Sequence, residues 1–423
     1  DMKPFFLLLS TFYFLLSTTH IQTGKYDRYL TGLERNLREN IMPFWLDKTI
    51  DRKNGGYHLN FDREGMDKGP GVRMIVTQAR QVWLFSRLTR AGYCKCLGQA
   101  EHGYRFLLDR MWDARNGGFY WEVDETGLKV TKDRKHLYGQ SFALYAISEY
   151  ALASGRDDVR KFAVRFFELL ESKAHDKVHG GYREFFTPDW REETREMPYL
   201  GGAAGVKLMN THLHLLEAMT TFYRLTKLPV ARERLIELIT IESNTVVRKE
   251  IGACTDKYSQ DWKPLLDGDF ARVSYGHDLE NIWLLADACD AAGLPQAPLL
   301  DLYRTLFAYS LKYGYDAAQG GFYDSGSFNQ PADRRTKVWW VQSEALVGAL
   351  YMYKLTGDTT YLDVFSKTFD FVQSRQTDWQ NGEWFANVSP DGVTSGDKAQ
   401  PWKSGYHNGR AMIESIALLR DLK

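Results

Sequence analysis

Residues 207–218 read KLMNTHLHLLEA, an apolar stretch carrying two histidines two positions apart. On a helix turning about 100° per residue, His212 and His214 point roughly 200° apart and cannot share one task. Asn210, His214 and Glu217 fall at i, i+4 and i+7, which sets amide, imidazole and carboxylate on one stripe while Leu208, Leu215 and Met219 face elsewhere. The expectation is that His214 works in a cavity and that His212 is structural. Other stretches carry the same residue types. SYGHDLENIW sets Glu280 three residues after His277, with Asn281 and Trp283 close by, and WKSGYHNGRAMIES supplies Trp402, His407 and Arg410, with Glu414 further along the stripe of His407. VTQARQVWLFSR joins Arg80 to Trp83, RKHLYGQS brings His136 and Tyr138, and VWWVQSEALV contributes Trp339, Trp340 and Glu344.

Imidazole, with an unperturbed pKa of about 6.5, both takes and gives a proton near neutrality. Three histidines, each with a carboxylate one or two turns away, amount to proton-transfer equipment in which the carboxylate orients the ring and favours its charged form. Arg80 suits negative charge developing on an oxygen, as an enediolate demands. Taken singly, each of these residues also reads as a satisfied core or rim side chain; their recurrence is what points to chemistry, because a buried imidazole or charge is costly without partners. Nothing in the set calls for a cofactor or a metal: no GxGxxG follows a strand, and there is no Walker loop, GxSxG elbow or HExxH.

The elements that must position these residues repeat. Gly-aromatic clusters start at Gly55, Gly117, Gly180, Gly320 and Gly382, at steps of 62, 63, 140 and 62 residues, and a degenerate cluster at Gly252 divides the double step. Six units of about 60 to 70 residues result, and between clusters the apolar residues recur at three and four positions, as in YGQSFALYAISEYAL and SEALVGALYMYKLTGD. Two helices fit each unit, with turns at the glycines and brief hairpins after them. Helical hairpins packed side by side predict an all-α (α/α)6 barrel with short β-hairpins at one rim; an open solenoid is the alternative.

Composition narrows the partner. Lysine plus arginine and aspartate plus glutamate both total 54, so the formal charge is zero and no footprint for nucleic acid or anionic membrane exists. Aromatic residues make up 14% of the chain, which suits a small neutral sugar whose apolar ring faces need cover, although the same rings also fill a core. Cys94 and Cys96 stand too close in sequence to predict a mutual disulfide, and all four cysteines are expected to be structural. PFFLLLSTFYFLLS behind Lys3 has the length of an export segment and is too short to span a bilayer. Residues 1–22 are therefore expected to be a signal peptide for a periplasmic or secreted protein, with a cytoplasmic protein as the alternative. Residues 23–423 are expected to form one catalytic domain, a monomer or weak dimer with no membrane contact.

MNTHLHLLEA, SYGHDLENIWLL, WWVQSEALVG, GEWFANV and WKSGYHNGRAMIES together resemble the N-acylglucosamine 2-epimerase superfamily, and KHLYGQSFALYAISEY brings the chain closest to its cellobiose 2-epimerases. The resemblance runs from about Tyr26 to Leu422. It implies an (α/α)6 barrel and cofactor-independent epimerisation at C2 of the reducing-end sugar of β-1,4-linked disaccharides, cellobiose or mannobiose. It also implies His277 and His407 as the acid/base pair, His214 as essential, and Arg80, Asn210, Glu280, Trp340 and Trp402 as sugar contacts or supports of the histidines; Tyr138 and Glu344, from the polar stretches above, are expected to join them as substrate-binding residues. The family often shows Pro-Gln-Ala-Glu where this chain has Val341 to Glu344, a departure expected to alter a cavity loop. N-acetylglucosamine epimerisation and mannose or glucose aldose-ketose isomerisation stay open as alternatives. So does glycoside hydrolysis by Glu280 and Glu344, which would leave the histidines without a role.

Overall fold

The computed structural model describes residues 24–195 and 204–423. The expected export segment lies outside the described residues. A wider helical turn, Asn36–Ile41, joins α1 (Asp27–Arg35) to α2 (Met42–Lys48). Inner and outer helices then alternate: α3 (Ile75–Arg90), α4 (Leu97–Phe106), α5 (Leu137–Ser154), α6 (Asp157–Lys173), α7 (Met209–Thr226) and α8 (Pro229–Thr240). The same alternation continues through α9 (Tyr275–Ala292), α10 (Leu300–Gly314), α11 (Trp339–Thr356), α12 (Thr359–Phe371) and α13 (Tyr406–Asp421). The odd helices from α3 to α13 form the inner ring; each packs on the next, and α13 returns to α3. No described helix is long and apolar enough to cross a membrane.

Pattern explains the layers. α5 buries every residue from Leu137 to Ala151, as a helix apolar on all sides must, whereas outer α6 buries only the stripe Val159, Ala163, Phe166, Phe167 and Leu170. Chain reversal between the two helices of a unit uses left-handed residues at Gly155, Lys227, Gly293 and Gly357.

The ring is closed twice. Each inner helix from α3 to α11 starts from a short strand that pairs antiparallel with a strand of the following unit: Arg73–Met74 with Glu122–Val123, Lys135–His136 with Phe185–Phe186, Val206–Leu208 with Lys257–Ser259, Arg272–Ser274 with Ser325–Ser327, and Lys337–Val338 with Asn387–Val388. A sixth bridge, Phe61 to Ala399, joins the last unit to the first. This belt around one rim decides for the barrel over the open solenoid.

The glycine clusters build that rim by one recipe. Asp51, Asp113, Asp176, Asp316 and Asp378 each take two backbone N–H groups of their own turn and an ion pair from a cation of the next strand or loop: Arg73, Lys135, Lys207, Lys337 and Lys398. A polar side chain of the inner helix then accepts the N–H of the residue after the second glycine: Gln78 from Tyr57, Gln140 from Phe119, His212 from Tyr182 and Gln342 from Phe322. The second glycine is required by this grip; a Cβ on Gly181, where φ is +69°, would lie 2.9 Å from His212 Nε2. Gly382 is followed instead by Glu383 at φ 64°, whose buried carboxylate takes bonds from Trp45, Lys403 and Asn408 that offset the strain. The degenerate cluster is a true sixth unit: Val247–Arg248 pairs with Ala253–Cys254, and Asp278 accepts the Cys254 N–H.

Two expectations are corrected. Cys94 and Cys96 are joined as a disulfide between α3 and α4, where the chain bends enough to bring the pair together despite their closeness in sequence, and Cys254 and Cys289 are free and buried. Val341 to Glu344 lies in the first turns of α11, so the departure at these positions changes a helix wall and no loop.

Candidate active site

All six inner helices begin at the belted rim, so residues near their N-termini converge at one end of the barrel. A cavity of about 200 Å³ forms there, lined by Arg80 of α3, Tyr138 of α5, Asn210 and His214 of α7, His277 and Glu280 of α9, Trp339 and Trp340 of α11, Trp402, and His407 of α13. Nine of the ten residues singled out in sequence touch this space directly, and Glu344 lies behind it on His407.

Trp340 is the organiser. Its ring lies 4.9 Å from that of His277 and 5.8 Å from that of His407, so imidazoles from α9 and α13 lean on one indole and face one cavity. His407 Nδ1 bonds Glu344 Oε1 at 2.6 Å, and His214 Nδ1 bonds Glu217 Oε2 at 3.0 Å. Carboxylates thus fix both rings and leave Nε2 free for chemistry. Burial lowers the pKa of His277 to about 3, with His214 adding to the effect. Burial also carries His407 well below the usual histidine range, with Arg80 and Arg410 adding repulsion. Both are neutral at pH 7, the form that accepts a proton.

Arg410 sits at the centre of the floor. One end of its guanidinium pairs with Glu217 and the Tyr406 hydroxyl; Nη2 bonds Glu280 Oε1 at 2.6 Å and Glu344 Oε1 at 2.8 Å. Burial pulls Glu217 up, but Arg410 and His214 overcome it and hold the carboxylate at about 2. Glu280 goes the other way, pushed up to about 7 by burial and by Glu344 against the pull of Arg410. One cation among three buried carboxylates cannot keep all of them ionised. Glu280, Glu344 and His407 also form the one metal-type cluster among the described residues, and the guanidinium already stands where a cation would.

The remaining wall is poised for oxygen. Arg80 lies over the rings of Phe142 and Tyr406, donates to the Tyr138 hydroxyl at 3.0 Å and to the Trp402 carbonyl at 3.3 Å, and has a buried Nε with no partner. Asn210 Oδ1 and Glu280 Oε2 are likewise buried without partners. Such groups are satisfied by ligand hydroxyls. Trp402 is 37% exposed at the mouth, beside Trp121 and Tyr138.

Several local readings needed correction. Glu280 supports Arg410 and does not touch His277, which has no carboxylate beside it among the described residues. Glu414 follows His407 along α13 but points to the opposite end and pairs with Arg87. Asn281 holds the Glu242 carbonyl away from the cavity, and His136 caps α5 through Tyr138 N–H. The sequence singles out Arg410 and Trp283 without a role and does not single out Tyr406 beside them, so the hub they form was missed; the i, i+3 step from His407 to Arg410 was the available signal.

Residues 55–411, most of the chain, match the family described as N-acylglucosamine 2-epimerase (GlcNAc 2-epimerase). The chain belongs to this family. It is 31% identical to the cellobiose 2-epimerase of Bacteroides fragilis, over 91% of this chain and 97% of the relative, and 32% identical to that of Ruminococcus albus, over 92% and 98%. The solved cellobiose 2-epimerase from Bacillus thermoamylovorans B4167 superposes with a TM-score of 0.86 at 31% identity, covering 92% of this chain and 99% of that one. The chain is thus a carbohydrate epimerase or isomerase by family, on an (α/α)6 barrel.

Proposed function

We propose that the protein inverts C2 of the reducing-end sugar of a β-1,4-linked disaccharide, turning cellobiose into glucosyl-mannose without a cofactor. The observation that carries this reading is the pair of neutral imidazoles, His277 and His407, leaning on Trp340 around one cavity. Two bases reaching one carbon from different sides is what inversion at that carbon needs. His214 assists opening of the pyranose to its aldehyde. One of His277 and His407 then removes the C2 proton, and the electron pair moves onto the carbonyl oxygen as an enediolate facing Arg80. The other histidine, having taken up a proton from solvent, delivers it to the opposite face of C2 as the carbonyl re-forms; the first histidine releases its proton to solvent, and the ring closes on the epimer. Each positioned acid or base is worth about 10² to 10⁴ in rate. Trp402 offers its exposed face to the second sugar ring. The export segment expected at residues 1–22 would place the reaction in the periplasm or outside the cell.

The test is incubation with cellobiose, mannobiose, mannose and N-acetylglucosamine in heavy water, followed by NMR. The expected result is the C2 epimer of a disaccharide with deuterium at C2. Cleavage to monosaccharides, or turnover of free monosaccharides alone, would contradict the proposal.

A further inference from the structure

Among the described residues, His277 is the one ionisable side chain shared by two cavities. It faces the catalytic cavity of about 200 Å³ and, with Trp340, a second chamber of about 260 Å³ on the side of Trp340 away from Trp402. At about 30 Å³ per molecule, the second chamber has room for about eight waters. Its outer wall includes the ion pair of Arg334 with Asp269, whose side chains are 49% and 76% exposed, so the chamber opens to solvent. Its inner end is Asp256, which accepts the Met209 N–H on its carbonyl and the Asn210 N–H on Oδ1 at 2.9 Å, where α7 starts to carry Asn210 and His214 into the catalytic cavity.

The proposed reaction leaves His277 with a proton to exchange. In one direction it holds the proton taken from C2, in the other it has just given one up, and it must be reset before the next turnover. A disaccharide with one ring in the catalytic cavity and the other on Trp402 covers that mouth and leaves the chamber as the way from His277 to solvent. His407 and His214 each have a carboxylate on Nδ1, whereas His277 has none beside it. The chamber supplies one at a remove. Asp256 spends only Oδ1 on the protein, while Arg272 is engaged by Asp333, Arg334 by Asp269, and Asp324 by the Ser325 hydroxyl. Burial pushes the Asp256 carboxyl up to about 6 against the pull of the Asn210 N–H, and burial takes His277 down to about 3. A proton on the imidazole therefore moves downhill to the carboxylate, and from there to water near neutrality.

We propose that the chamber is the path by which His277 exchanges its proton with solvent and that Asp256 is the relay on it. The imidazolium gives its N–H proton to the Asp256 carboxylate across water, and the carboxylic acid passes it on past Arg334 and Asp269; the same steps reversed load His277 when it serves as the acid. Asp256 acts through His277 and does not line the sugar cavity. The proposal rests on the 2-epimerase reading above. It is tested in heavy water, from cellobiose and separately from glucosyl-mannose, by the ratio of C2 deuterium in recovered substrate to epimer formed. Asp256→Asn keeps an acceptor for the Asn210 N–H but cannot carry the proton, and Ser325→Leu narrows the chamber from another wall. In both variants the ratio should fall about tenfold for the epimer that His407→Asn still exchanges, a smaller factor than the about 10² to 10⁴ of a group that meets the substrate. It should stay unchanged for the other epimer, which His407 serves. Unchanged ratios in both variants, or an equal fall from both epimers, would overturn the relay while the 2-epimerase reading stands. A wild type that neither epimerises these disaccharides nor exchanges their C2 hydrogen would overturn that reading and the relay with it.

Discussion

His214 finds its carboxylate three residues on, at Glu217, whereas His407 finds Glu344 sixty-three positions back on another helix. The first pairing was legible because both residues lie on one helical stripe. The second was not, since stripe logic sees one helix at a time and pointed to Glu414. The same blindness assigned Glu280 to His277 when its oxygen is held by Arg410. Glu280 titrates near 7 because burial and Glu344 disfavour its charge, and its second oxygen faces the cavity unpartnered. Glu280→Gln keeps the shape and the contact to Arg410 but cannot ionise. The expected outcome is lower activity and loss of the inflection near pH 7 from the kcat/KM profile; a profile that keeps the inflection would assign it to another group.

At the scale of the helix and its turn, His212 is explained by repetition. It does in the third unit what Gln78, Gln140 and Gln342 do in others, accepting the N–H that follows a glycine pair, while its Nδ1 bonds the Leu208 carbonyl at 2.7 Å. Burial takes its pKa to about 4, so it serves as a neutral acceptor. His212→Gln should therefore fold and retain activity, and His212→Ala should lose about 1–3 kcal/mol in denaturant unfolding through the orphaned N–H. Equal stability of the two would contradict this role. The structural part of His212 was readable from its direction on the helix. Its precise partner was not, because the grip appears only when the glycine turn folds against the helix. Five clusters announced themselves by an Asp four residues before a glycine, in four of them a Gly-Gly pair; the sixth was faint because Arg248 stands where the Asp would be, yet its strand pair forms.

For the whole molecule, the repeat spacing gave six units and hence the barrel, while ring closure rests on contacts between the first and last units that no local pattern encodes. The closed rim buries charge, and this sets how stability responds to pH. Burial alone would raise Asp113, Asp176 and Glu217, but Lys135, Lys207 and Arg410 hold them at about 2. Below their ordinary values of 3.8 and 4.5 the unfolded chain binds the protons first, so stability is lost as pH falls toward 2. Burial raises Glu184 to about 8, Asp278 and Glu280 to about 7 and Asp256 to about 6; here the folded chain holds the protons, so stability falls as pH rises through that range. Denaturation midpoints should peak on the acid side of neutrality, and a maximum above pH 8 would contradict this balance. What the barrel achieves is to bring His277 and His407, 130 positions apart, onto one indole. The most direct measurement is C2 hydrogen exchange in heavy water by His277→Asn and His407→Asn, each supplied with cellobiose and, separately, with glucosyl-mannose. Neither variant should epimerise, and each should wash hydrogen out of one epimer only, the two variants choosing opposite epimers. Exchange from the same epimer by both, or epimerisation by either, would contradict two bases facing one carbon.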